Sequence, residues 1–101
     1  MNQYNIAWTT EAMTDLSQCV VFVLNVSKEA ALKLRDDIMD SVKQLEIFPE
    51  SNPIFNTIKS FPFELRKKVV NKRYILLYSI EDTTVCIYRV LDARRKFEQL
   101  I

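Results

Sequence analysis

The side chains able to do chemistry in this chain are mostly cations. Arg66-Lys67-Lys68, Lys72-Arg73, Arg89 and Arg94-Arg95-Lys96 recur within one stretch, Phe61 to Leu100, whereas histidine is absent and cysteine occurs only at positions 19 and 86. Clustered positive charge attracts phosphate backbones or acidic protein segments through its long-range field. With no imidazole and only two thiols, a histidine-based triad, a zinc site and a histidine proton shuttle are ruled out or nearly so. No metal and no cofactor are expected. The candidate target-binding groups are therefore Arg66, Lys68, Arg73, Arg89, Arg94, Arg95 and Lys96. A purely structural use competes with this reading. Lysines blunt exposed sheet edges against aggregation, and Arg94 or Arg95 can simply pair with Asp92 or Glu98.

The charge is unevenly spread. Net charge is +1, but residues 1–58 hold four basic and eight acidic side chains, net −4, and residues 59–101 hold ten basic and five acidic, net +5. An acidic half thus precedes a basic half.

The elements that must position these cations follow from pattern. Tyr74 to Ile80 and Thr84 to Leu91 are runs rich in Val, Ile, Leu and Tyr, separated by Glu81-Asp82-Thr83, the pattern of a β-hairpin. A third strand, Leu65 to Val70, precedes them across Asn71-Lys72. In a chain without glycine, Asn71 is the residue best suited to positive φ in that turn. These three strands form an antiparallel sheet. Alternation puts Tyr74, Leu76, Tyr78 and Ile80 on one face and Arg73, Ile75, Leu77 and Ser79 on the other. Both faces are apolar, so helices must cover at least one. The same alternation puts Arg89 beside Val85, Ile87 and Leu91, with Glu64 or Glu81 as its internal mate.

Upstream, Tyr4 to Thr9 reads as a half-buried strand. Thr9-Thr10-Glu11 offers an N-cap hydroxyl and an acidic first turn, opening a helix over Ala12 to Val26. Asn25 ends it and Ser27 caps the next. Over Lys28 to Phe48 the residues Ala31, Leu34, Ile38, Val42 and Leu45 recur at helical steps, a stripe that belongs to the core. Pro49 then blocks continuation, and a proline-containing connection runs to about residue 64. The last segment, Arg94 to Ile101, reads as a short helix. The order is β-α-α-β-β-β-α: an α+β fold in one domain, 1–101, with an antiparallel sheet backed by a helical hairpin. Trp8 and Tyr88 are expected in the core.

At 101 residues with 49% hydrophobic and 27% charged side chains, the chain has the composition of an ordinary globular domain. The longest uncharged apolar run, Cys19 to Leu24, is too short for a bilayer, and MNQYN lacks the features of a signal peptide. The expected compartment is the cytoplasm, with both cysteines as buried thiols.

Four stretches, YNIAWTTEAMTDL, LEIFPE, FPFELRKKVVNKRYILLYSIEDTTV and IYRVLDARRKFEQL, taken in that order, resemble the RelE/ParE superfamily of toxins from bacterial type II toxin–antitoxin, or plasmid-stabilisation, modules. The resemblance implies a growth-inhibiting toxin neutralised by a cognate antitoxin that wraps round it, with operator DNA met only through the antitoxin. In its RelE-like branch, which cuts ribosome-bound mRNA, basic sheet residues hold phosphate, an arginine stabilises developing charge and a late tyrosine assists. Laid on this chain, that pattern puts Arg66 and Lys68 at the two basic strand positions and Arg95 at the late arginine. Its central arginine falls on Ile75 and its tyrosine on Ile101. Two members of the nuclease constellation are therefore missing. FPFELR with RYILLY and RVLDARRKF are more similar to the ParE-like branch, whose members inhibit DNA gyrase without chemistry of their own. A member that keeps antitoxin binding alone is the third alternative.

Overall fold

In the computed structural model, which describes residues 3–56 and 61–94, strand β1 (Asn5–Trp8) leads into helices α1 (Thr10–Leu24) and α2 (Lys28–Leu45). A single 3-10 turn at Pro49–Ser51 follows, then strands β2 (Arg66–Val70), β3 (Tyr74–Glu81) and β4 (Thr84–Asp92). The expected final helix lies outside the described residues.

Local chemistry sets the helix ends. The Thr9 hydroxyl accepts the Ala12 N–H at 3.0 Å and that of Ser27 accepts Ala30 N–H at 3.2 Å, each satisfying a first-turn donor that the helix leaves unpaired. Helix α2 stops at Leu45 with Glu46 as its C-cap, three residues before Phe48. Pro49 therefore opens the 3-10 turn instead of terminating α2. Its fixed φ suits the first position of a helical turn.

The sheet order is β1-β4-β3-β2. The three strands of the second half pair antiparallel, as their spacing predicts, while β1 joins β4 in parallel, so the whole sheet is mixed. Asn71 and Lys72 both take positive φ, 55° and 58°, and Arg73 N–H bonds Val70 C=O at 3.2 Å. Two positive central φ values match the right-handed twist of a tight hairpin.

All five stripe residues of α2 are buried. Four of them, Leu34, Ile38, Val42 and Leu45, meet Tyr74, Leu76, Tyr78, Val85, Ile87 and Val90 in the main core. On the opposite face Ile75, Leu77 and Leu91 form a second apolar cluster, against which Phe55 packs. Trp8 packs against the main core as expected. Tyr88 instead meets Phe61 and Phe63 edge-on, with centroids 5.9 and 5.6 Å away. The connection after α2 is held by Tyr78, whose hydroxyl donates to Pro49 C=O at 2.6 Å and accepts from Asn52 Nδ2 at 3.1 Å.

Burial raises the pKa of both Tyr74 and Tyr78 above the phenol's ordinary 10.0. The folded state thus keeps those protons to higher pH than the unfolded chain does. Stability tied to them is fully present below pH 10.0 and is lost as pH climbs through the raised folded values. Alkaline titration followed by tyrosinate absorbance should therefore show the Tyr74 and Tyr78 phenols ionising late, together with loss of helical circular dichroism. Ionisation of these two at the ordinary phenol value in a still-folded protein would contradict this.

Candidate functional site at the end of the fourth strand

The regular ladder breaks in β4. Leu77 is opposite Arg89 but Tyr78 is opposite Ile87, which leaves Tyr88 as the extra residue of a β-bulge. The bulge resets alternation: Val85 and Ile87 face the helices, and after it Val90, not Leu91, continues that row. Arg89 accordingly leaves the set predicted for it. Its mate is neither Glu64 nor Glu81 but Asp15 of α1.

Asp15 is the side chain of this cluster that sequence reasoning missed. Its carboxylate accepts from Arg89 Nε at 2.6 Å and Nη2 at 3.0 Å, and also from the Val90 main-chain N–H at 3.0 Å. Such a two-pronged pair is strong and orientation-specific, and the hydrogen bond to Asp15 raises the Arg89 pKa still further. The third bond satisfies a buried donor just beyond the bulge. A second tie comes from Thr9, whose hydroxyl donates to Tyr88 C=O at 2.7 Å. A sequence signal for Asp15 did exist: it sits three residues after Ala12 and four before Cys19, on the inward stripe of α1, where a charge needs a partner.

Arg73 and Arg94 converge on the same end of the sheet. Arg73 donates through Nε and Nη2 to Asp92 Oδ2 at 3.3 and 3.1 Å, with its guanidinium 5.0 Å from the Tyr74 ring centroid. The Arg94 side chain lies 3.7 Å from Asp92 Oδ1, which also accepts the Arg94 main-chain N–H at 3.0 Å. Asp92 is thus an arginine partner, as expected. Between α1 and these residues lies a cleft of about 250 Å³, lined in part by Gln18, Cys19, Phe22, Tyr74 and Val90. Neither cysteine is in a disulfide, and both are half-buried where full burial was expected.

Arg66 and Lys68 lie elsewhere, on edge strand β2. Arg66 donates to Asn52 C=O at 2.7 Å and Glu50 C=O at 3.3 Å and faces Glu64 at 3.6 Å. Lys68 donates to Gln44 Oε1 of α2 at 2.5 Å, and burial lowers its pKa. The predicted cations thus fall into two groups: Arg73 and Arg89 in the cleft with Arg94 beside them on Asp92, and Arg66 with Lys68 on the edge. Arg95 and Lys96 lie outside the described residues. Among the described residues no cluster of His, Cys, Asp and Glu could hold a metal ion, and no helix is long and apolar enough to cross a membrane.

A second surface feature is apolar. A groove of about 390 Å³ between the helices is walled by Trp8, Met13, Leu16, Val20, Val21 and Met39, of which Met13, Val21 and Met39 are about half exposed.

Comparison with known proteins places this arrangement. The family model described as the ParE toxin of the type II toxin–antitoxin system parDE matches residues 6–97. Among solved structures, a chain of the chromosomal ParDE toxin–antitoxin system from P. aeruginosa superposes with a TM-score of 0.70 at 21% identity, over 89% of this chain and 96% of that one. A chain of the RelBE2 toxin–antitoxin complex from Mycobacterium tuberculosis superposes with a TM-score of 0.53 at 25% identity, over 89% and 98%. No curated protein matches. With the order of elements and the family match covering nearly the whole chain, the protein belongs to the ParE toxin family of type II toxin–antitoxin systems.

Proposed function

We propose that this protein inhibits growth by binding DNA gyrase, as ParE-like toxins do, and that a cognate antitoxin neutralises it. The observation that carries the reading is the state of the three sheet positions a RelE-like nuclease would use. Arg66 is tied to main-chain carbonyls and Lys68 to Gln44. Ile75 is 7% exposed inside the second apolar cluster. Cleavage of RNA by its own 2′-hydroxyl builds charge on phosphorus and needs proton transfer at both ends, and those positions offer neither free cations nor a base. The antitoxin is supported by the half-exposed groove between the helices, since an apolar patch of that kind marks a protein interaction site. It is supported too by the toxin–antitoxin assemblies in which the similar structures occur.

Purified protein should inhibit gyrase supercoiling and leave translated mRNA uncut in primer extension. Cleavage without gyrase inhibition would overturn the reading in favour of a RelE-like ribonuclease, and activity in neither assay would favour a member reduced to antitoxin binding. Arg94 and Arg95 are proposed as target contacts; the Arg94 side chain is 63% exposed. Replacing both with alanine should raise the half-inhibitory concentration roughly tenfold, the scale of rim cations that steer association, with an unchanged melting temperature. A lowered melting temperature would assign them a structural role.

A further inference from the structure

The cleft beside β4 contains hydrogen-bond donors that the fold leaves unused. Tyr74 is 4% exposed and lines the cleft, yet its hydroxyl has no hydrogen-bond partner among the described residues. No fully enclosed side-chain N or O atom among the described residues lacks a partner, so this hydroxyl keeps contact with solvent, in a residue that lines the cleft. The acceptors next to it are already occupied. Asp92 takes Arg73 on one oxygen and the Arg94 N–H on the other, and both Asp15 oxygens are engaged by Arg89. Arg73 has used only Nε and Nη2, and a guanidinium carries five N–H donors. The unspent capacity of the cleft is therefore mainly donor: a phenol, the second edge of Arg73 and the Gln18 amide. A cavity with spare donors and satisfied acceptors is complementary to an oxyanion.

The surroundings select the source of that oxyanion. A nucleic-acid strand is held by cations in excess, but here Arg73 and Arg89 each face a carboxylate at 3.1 and 2.6 Å, which cancels most of the local field. The walls contributed by Phe22, Val90 and Leu91 are apolar and suit a methylene stem. Phe22, which lines the cleft, is 56% exposed, and Leu24 and Val26 at and just beyond the end of α1 are 48 and 83% exposed, a surface fitted to apolar side chains of a protein and not to sugar or phosphate.

We propose that this cleft receives the side-chain carboxylate of a glutamate, or of an aspartate, from a protein partner, with the Tyr74 hydroxyl and the free edge of Arg73 donating to its oxygens. The proposal rests on the reading that the chain works bound to another protein, and is independent of whether gyrase is the target. The apolar residues flanking that acid in the partner lie on Phe22 and Leu24.

The test is a ¹⁵N NMR titration of the full-length toxin with N-acetyl-glutamate N-methylamide. The glutamine analogue and inorganic phosphate are run beside it. The expected result is a saturable shift of the Arg73 Nε–H and Gln18 side-chain signals with the glutamate probe, and none with the glutamine analogue. Tyr74→Phe should weaken binding about 5- to 10-fold, the worth of one hydrogen bond, and R73Q should do so on a fold verified by its amide spectrum. No saturable shift, an equal response to glutamine, a stronger response to phosphate, or an unaltered Tyr74→Phe variant would each overturn the assignment. Failure of the wider reading looks different: the protein encoded by the neighbouring gene would not co-purify with the toxin, whatever the probe does.

Discussion

Replacing Asp15 with alanine is expected to destabilise the protein by about 3 kcal/mol, because it takes a two-pronged carboxylate from the Arg89 guanidinium and the acceptor from the Val90 N–H at once. The figure sits at the low end for buried pairs, since the Arg89 and Asp15 side chains keep 18% and 11% exposure and water can reach the guanidinium. The three bonds made by one carboxylate separate on substitution. Asp15→Asn keeps an oxygen for Val90 but gives up the charge, and should recover roughly 1 kcal/mol of the loss. Arg89→Met removes the cation instead and leaves the Val90 bond intact. In urea denaturation the order of midpoints should be wild type, then Asp15→Asn, then Asp15→Ala. A double variant, Asp15→Ala with Arg89→Met, should be less unstable than the sum of the two singles. Strict additivity would show that the pair contributes nothing and that the bulge holds itself.

The second large effect is expected in the main core. Ile38 is fully buried, and Leu34 on the preceding turn is 5% exposed; both belong to the cluster shared by α2 and the sheet. Ile38→Ala should cost about 2–5 kcal/mol, the transfer free energy of the removed methyl groups plus the cavity left in a wall that cannot collapse. Four strands and two helices converge there, so relaxation is limited and the upper half of the range is the expectation. The measurable signature is a lowered urea midpoint with an unchanged slope. In cells it should appear as less protein with unaltered specific activity. A change in specific activity at equal protein would place α2 in the functional surface.

The two effects contrast in kind. The core loss depends on apolar volume that any well-chosen hydrophobe would fill. The loss at Asp15 depends on one carboxylate meeting one guanidinium across 74 residues. Together they describe how the cleft is built. The core fixes α1 over the sheet, Thr9 and Asp15 fasten α1 to the bulge from two points, and Arg89, Arg73 and Asp92 then stand around a space whose unused donors face outward.

What the sequence determined by itself was everything governed by short-range physics. The stripe of α2, the caps Thr9 and Ser27, the hairpin turn with Asn71 at positive φ and the two apolar faces of β3 each depend on residues within a few positions of one another. Each was legible from period and residue type. The resemblance carried by the four stretches led from there to the toxin family. What only the tertiary structure decided were the pairings between distant segments. β1 meets β4 in parallel, because the helical hairpin returns the chain to the sheet in an orientation that no local pattern encodes. The bulge at Tyr88 cannot be seen in an apolar run that alternates without interruption on paper. It exists because Asp15 and Thr9, brought from α1, satisfy the main-chain groups that a regular ladder would have used. The cations show the same limit. Their number and clustering were plain in the sequence, but whether each is spent on a neighbour or left for a partner depends on which carboxylate or carbonyl the fold sets within about 3 Å, the range in which a hydrogen bond forms.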